Sequence, residues 1–207
     1  MGRNSKEDLD RFFDYGVFAP KRLLYIGSSS SSEPTQEESG TDHQMAEKTI
    51  KGLQYLDLTS DRPIIIIMNN PGGTEEHGMA IYDTITSCRS HVTMIGVGYC
   101  ASMGSIILQS ADTRILTRNC MFMIHDGHQL IEGTPKSVEE WAESSKKSRQ
   151  KMYEIYHNKI KTKNPNITIK QIEKMCAHDK IFSAQEAVNI GFADKILDGN
   201  IHQLIGE

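Results

Sequence analysis

The sequence predicts an α/β domain built on a mainly parallel sheet, and three observations predict it. The run at residues 64–68 (IIIIM) is unbroken by polar residues, as a strand covered on both faces requires. Further apolar runs follow at 92–97 (VTMIGV) and 121–124 (MFMI). Between them the chain passes repeatedly through a turn and a stretch with helical spacing, the alternation of a layered α/β fold. At about 100–200 residues per domain, a chain of 207 residues reads as one domain, 1–207. Its 38% hydrophobic content supplies a core and excludes wholesale disorder.

The elements follow in order. Residues 23–26 (LLYI), closed by Gly27, form the first expected strand and end an N-terminal segment, 1–26. Residues 27–42 (GSSSSSEPTQEESGTD) are acidic and rich in turn formers, so they read as a surface loop able to bury almost nothing. Met45, Ile50, Leu53 and Leu56 mark one face of a helix starting at Gln44. Asp61-Arg62-Pro63 precedes the isoleucine strand, and Asn69-Asn70-Pro71-Gly72-Gly73 closes it with a strong turn signal. Helical spacing returns at 78–88 and 102–110. Pro135 opens a long helix, with Ser137 as its expected cap and Glu139 and Glu140 suited to its positive end. Trp141, Met152, Ile155 and Ile160 give that helix an interrupted apolar stripe; lysines from Lys146 to Lys163 make the rest a basic, solvated face. Asn164-Pro165 is expected to stop it, a helix at 168–176 follows, and a last turn of helix runs from a Ser183 cap to Gly191.

Composition excludes several functions. A net charge of −4 lacks the basic stripe of a nucleic-acid binder. No apolar run approaches the ~18 residues of a membrane span, and the charged N-terminus is not a signal peptide. Cys88, Cys100, Cys120 and Cys176 are scattered without a CxxC pair and read as reduced thiols of a cytoplasmic protein. No cofactor is expected, because Gly96-Val97-Gly98 lacks the rest of a dinucleotide fingerprint. No metal is expected either: the chain has no HExxH or EF-hand loop, and a strand end does not hold His125 and His128 as a chelate.

Two places could do chemistry. Gly72 and Gly73 free backbone N–H groups that can form an anion-binding nest, or they make a plain tight turn. In Tyr99-Cys100-Ala101-Ser102-Met103-Gly104, Ser102 falls between a strand and a helix, as a helix cap or as a nucleophile beside the unpaired Met103 amide.

The blocks IIIIMNNPGG, GMAIYDTI, GVGYCASMGS, MIH and AHDKIFSAQEAVNIGFADKI, in this order, resemble the Clp protease proteolytic-subunit (ClpP) family from Ile64 to Ile196. The resemblance implies a crotonase-like α/β head domain (44–133 and 165–207) with a protruding handle helix (134–164). It implies a serine endopeptidase with Ser102 as nucleophile, His125 as general base and Asp179 as third triad member, the order being free because a triad is defined by geometry. The oxyanion hole carries over to the N–H groups of Gly73 and Met103. The implied assembly is a homo-oligomer of stacked heptameric rings, fed with polypeptide substrates by an AAA+ unfoldase ATPase. The chain departs from the family pattern at Gln129-Leu130, in place of a glycine pair, and at Ala177-His178, in place of an acidic–Arg pair. These departures and a short N-terminal stretch leave an alternative open: a catalytically latent ring subunit that regulates or scaffolds a partner protease.

Overall fold

The computed structural model describes residues 5–27, 40–201 and 204. Among these, eight strands form one sheet: β1 (Val17–Phe18), β2 (Leu23–Gly27), β3 (Ile64–Asn70), β4 (Val92–Ala101), β5 (Thr113–Leu116), β6 (Met121–Ile124), β7 (Lys180–Phe182) and β8 (Lys195–Ile196). The main path runs β1-β2-β3-β4-β5-β8, while β6 leaves it to pair with the end of β4 and carries β7 on its far side. Every pair is parallel except the terminal hairpin β1–β2 and the β6–β7 ribbon. The helices are α1 (Lys6–Tyr15), α2 (His43–Thr59), α3 (Glu75–Thr86), α4 (Met103–Leu108), α5 (Pro135–Ile160), α6 (Ile169–Cys176) and α7 (Ala184–Ile190).

The unbroken isoleucine run is explained by burial on both sheet faces. Ile64, Ile66 and Met68 point into the larger core with Leu24, Leu53, Ile81 and Phe122. Ile65 points the other way, into a smaller cluster with Leu23, Ile95 and Ile115, capped by Phe12 and Leu197. Period-two alternation between two apolar layers leaves no position for a polar residue.

Several elements differ from expectation. The turn signal at Asn69-Asn70 lies inside β3, because Asn70 stays in register with Cys100 after an irregularity opposite Val97–Tyr99. The Asn69 Oδ1 accepts from the Tyr99 amide at 2.9 Å and closes that bulge. The expected cap Ser137 lies one turn inside α5; Pro135 takes the first helical position, so Thr134 is the cap and receives the Ser137 N–H. That helix also ends at Ile160, before Asn164-Pro165. Strands of two to four residues (β1, β5, β7, β8) are too short for periodicity to reveal, and α1, fixed by a Ser5–Asp8 capping box, buries no residue. The acidic loop expected at 27–42 falls largely on residues 28–39, outside the described residues. No described helix is long and apolar enough to cross a membrane.

A loop contact gives the fold a pH dependence. Asp57 in α2 accepts the amides of Ser90 at 2.9 Å and Arg89 at 3.3 Å. Burial pushes its carboxyl up, but these bonds outweigh it and hold the group down to about 2. A depressed folded value stabilises above the unfolded value and is lost as the group protonates. The urea midpoint is therefore expected to fall between pH 3.8 and about 2. Asp57→Asn should flatten that limb; parallel profiles of variant and wild type would contradict the assignment.

Candidate active site

The site begins where the sheet hands the chain to α4. The end of β4 pairs with β6 through Ala101↔Met123, and the Ser102 amide still donates to the Met123 carbonyl at 2.9 Å. One residue later the chain is helical, so Ser102 makes the whole turn, with φ 51° and ψ −123°. Such backbone costs about 1–3 kcal/mol in a residue with a side chain and persists only where its surroundings enforce it. Glycines make the room. A Cβ on Gly72 would lie 2.5 Å from the Ser102 Cβ, and one on Gly104 would lie 2.5 Å from the Asn70 carbonyl oxygen. The Ser102 carbonyl is held from below by the Ser105 hydroxyl at 2.6 Å, itself bonded to the Tyr156 hydroxyl at 2.6 Å. Burial pushes the Tyr156 phenol far up, so this anchor stays neutral.

Ser102 stands at the cap position of α4, yet its side chain makes no capping bond. Its Oγ lies instead 2.8 Å from His125 Nε2. Of the two readings the sequence left open, a serine hydroxyl facing the helix is not what the fold contains.

His125 follows β6 directly and Asp179 directly precedes β7. The antiparallel register Ile124↔Lys180 sets these two residues opposite each other at the next step of the ribbon. His125 Nδ1 and Asp179 Oδ1 are 2.8 Å apart. Assigned from this network, Nδ1 carries the proton and donates to the carboxylate, leaving the Nε2 lone pair for the serine. The histidine side chain is 16% exposed and the aspartate 64%, so the carboxylate sits on the open flank of the pair. Asp126 turns the other way: its Oδ1 accepts from the Tyr153 hydroxyl at 2.6 Å, and its amide donates to the Cys176 carbonyl at 2.8 Å. These bonds tie the segment carrying His125 to α5 and α6. Burial, then the Asp126 bond, pushes the Tyr153 phenol up, and burial pushes the Cys176 thiol up to about 12.

The glycine turn sits across the cleft. Thr41 forms an isolated parallel bridge to Gly73: its amide donates to the Gly72 carbonyl at 2.5 Å, and its carbonyl accepts from the Thr74 amide at 2.8 Å. That pattern uses the groups flanking Gly73, so the Gly73 N–H faces away from Thr41. Neither it nor the Met103 N–H donates to a backbone acceptor among the described residues outside regular structure. Buried Asn70 steers the turn, accepting the Gly72 amide on Oδ1 at 2.9 Å and donating from Nδ2 to the Thr41 hydroxyl at 2.9 Å. Gly73, Ser102, Met103 and His125 line one cleft of about 400 Å³, with Ile106 and Met152 in its wall.

The five residues singled out in the sequence thus meet at one place. Sequence reasoning missed Asn70, Thr41, the Ser105–Tyr156 pair and the Asp126–Tyr153 pair. A polar residue ending a buried isoleucine run was the available signal for Asn70; the others depend on pairings between distant segments. Gly96 and Gly98 lie within β4 and do not open a helix, so they form no phosphate loop.

In this layered α/β sheet a strained serine at a strand-to-helix junction is hydrogen-bonded to a carboxylate-backed histidine. A sequence model described as Clp protease matches residues 36–200. The chain is 35% identical over 162 residues to "ATP-dependent Clp protease proteolytic subunit 1" of Protochlamydia amoebophila, covering 76% of each protein. It is 28% identical over 193 residues to "ATP-dependent Clp protease proteolytic subunit" of Deinococcus radiodurans, covering 91% of this chain and 87% of that one. The chain belongs to the Clp protease family, a family of peptidases.

Proposed function

We propose that the chain is a serine endopeptidase subunit that hydrolyses unfolded polypeptides or short peptides through Ser102, His125 and Asp179. The observation that carries this reading is the continuous relay from Asp179 through His125 to a Ser102 hydroxyl freed from any capping duty. His125 Nε2 takes the hydroxyl proton as Ser102 Oγ attacks the peptide carbonyl, and Asp179 stabilises the imidazolium that results. The Gly73 and Met103 amides receive the oxyanion, at about 3–4 kcal/mol per donor. His125 then protonates the leaving amine, and water, deprotonated by the same nitrogen, releases the acyl group.

The family resemblance extends the proposal to assembly. Residues 1–207 act as one domain, whose α5 serves as the handle joining stacked heptameric rings. An AAA+ unfoldase supplies polypeptide to the enclosed sites. No residue of 135–144 is buried within the subunit, which suits a helix that is covered by copies of itself.

A fluorophosphonate probe tests the catalytic reading. It should label the isolated protein on Ser102, mapped by peptide mass spectrometry, and labelling should vanish in Ser102→Ala. A chain that stays unlabelled while its fold is intact would favour the latent subunit instead.

A further inference from the structure

We infer that His125, His128 and Asp179 form a binding site for a divalent transition-metal ion of the zinc class, and that the bound ion switches the peptidase off. The regulatory half rests on the catalytic reading above; the binding half does not.

The sequence argued against such a chelate because a strand end does not hold His125 and His128 together. The fold removes that objection. Strand β6 stops at Ile124, and Gly127, with φ 78°, reverses the chain immediately after Asp126. This brings the His128 ring edge-on to the His125 ring, with centroids 6.0 Å apart. One donor atom from each of His125, His128 and Asp179 lies within 4.8 Å of the other two. Asp126, the nearer acid in sequence, is engaged by Tyr153 and faces away. His128 and Asp179 are exposed on a cleft of about 450 Å³, which gives an ion a path in and the two side chains freedom to close on it.

The donor chemistry selects the ion. Two imidazoles and one carboxylate suit zinc or cobalt(II) and not magnesium or calcium, which take oxygen ligands. Bonds of about 2.0–2.2 Å need donors roughly 3.3 Å apart. His125 Nδ1 and Asp179 Oδ1, now 2.8 Å apart, would part slightly, the exposed His128 would close in from within 4.8 Å, and three protein donors leave a fourth position for water.

His125 meets the carboxylate through Nδ1, so that nitrogen is the one an ion shared with Asp179 uses. Ligation requires its lone pair. The proton on Nδ1 passes by way of solvent to Nε2, the lone pair forms the metal bond, and nothing is oxidised or reduced. Nε2–H then donates to the Ser102 Oγ it faces at 2.8 Å and no longer accepts the hydroxyl proton. Metal and catalysis therefore compete for one tautomer of one ring, with His128 adding the affinity.

The test uses the full chain with Ser102→Ala, titrated with cobalt(II) and read by visible absorption. A four-coordinate nitrogen–oxygen cobalt band should appear, zinc should displace it, and adding His128→Ala should weaken binding by about 10–100-fold or more. In the active protein, zinc should inhibit peptide turnover reversibly, a chelator should restore it, and His128→Ala should raise the zinc needed by a matching factor. No band, a band indifferent to His128→Ala, or a thiolate-to-cobalt charge-transfer band would overturn the site. Cobalt binding as described in a chain without peptidase activity keeps the site and overturns the proposed function instead.

Discussion

Replacing Ser102 by alanine is expected to lower turnover of a fluorogenic peptide by about 10⁶-fold, leaving only what the amides and the cleft contribute. The magnitude follows from the relay acting as a unit. Without the hydroxyl, His125 has no proton to take, and a perfectly oriented base gains nothing. For the same reason His125→Ala should cost nearly as much, and the double variant should cost no more than either single one. Initial rates at substrate concentrations spanning KM check this, with the loss appearing in kcat. Wild-type turnover by Ser102→Ala would end the proposal. Costs that multiply in the double variant would show that the two side chains act in separate steps.

The second large effect is on stability. Arg114 on β5 has a side chain only 5% exposed. Its Nη2 and Nε donate to the Asp194 carboxylate at 2.5 and 3.2 Å, and its Nη1 donates to Gln109 Oε1 at 2.8 Å and to the Gly191 carbonyl at 3.1 Å. Burial raises the Asp194 carboxyl, but these Arg114 bonds outweigh it and leave it below its usual value. Arg114→Met removes the charge and leaves several acceptors unpaired, so it should cost about 3–5 kcal/mol, read as a lower urea midpoint at constant slope. Adding Asp194→Leu should not recover the loss, because the partly exposed carboxylate also accepts the Arg114 amide at 2.7 Å, a bond leucine cannot make. An unchanged midpoint in Arg114→Met would show that solvent replaces the guanidinium without penalty.

How much was readable in advance divides along physical lines. The parallel sheet was legible because Ile64–Met68 must satisfy two apolar layers at once, and that demand leaves a trace in consecutive residues. The α7 boundaries were legible because Ser183 and Gly191 act locally, through a cap and a left-handed residue. The candidate site residues came from the order of short motifs, PGG, ASMG, MIH and HDKIFSAQEA, and not from any periodicity. What escaped depends on partners far apart in the chain. Thr134 displaced Ser137 as the α5 cap because Pro135 fixes where the helix starts. The nearness of His125 and His128 needed a left-handed Gly127, which the sequence permits without requiring. The bend at Ser102 was hidden for a similar reason: a serine at positive φ has no signature until Gly72 and Gly104 are seen making room for it.

The Thr41–Gly73 bridge gives the chain a way to tune the site without altering it. Two hydrogen bonds clasp the amide-bearing turn to residues that directly follow the segment 28–39. Gly40 beside them sits so close to the Gly72 carbonyl that any side chain there would strike it. A change at Gly40 or Thr41 is expected to shift the Gly73 amide, the oxyanion donor of the proposed mechanism, while Ser102, His125 and Asp179 keep their own hydrogen bonds. On the proposed mechanism such a change should act as a dimmer on turnover.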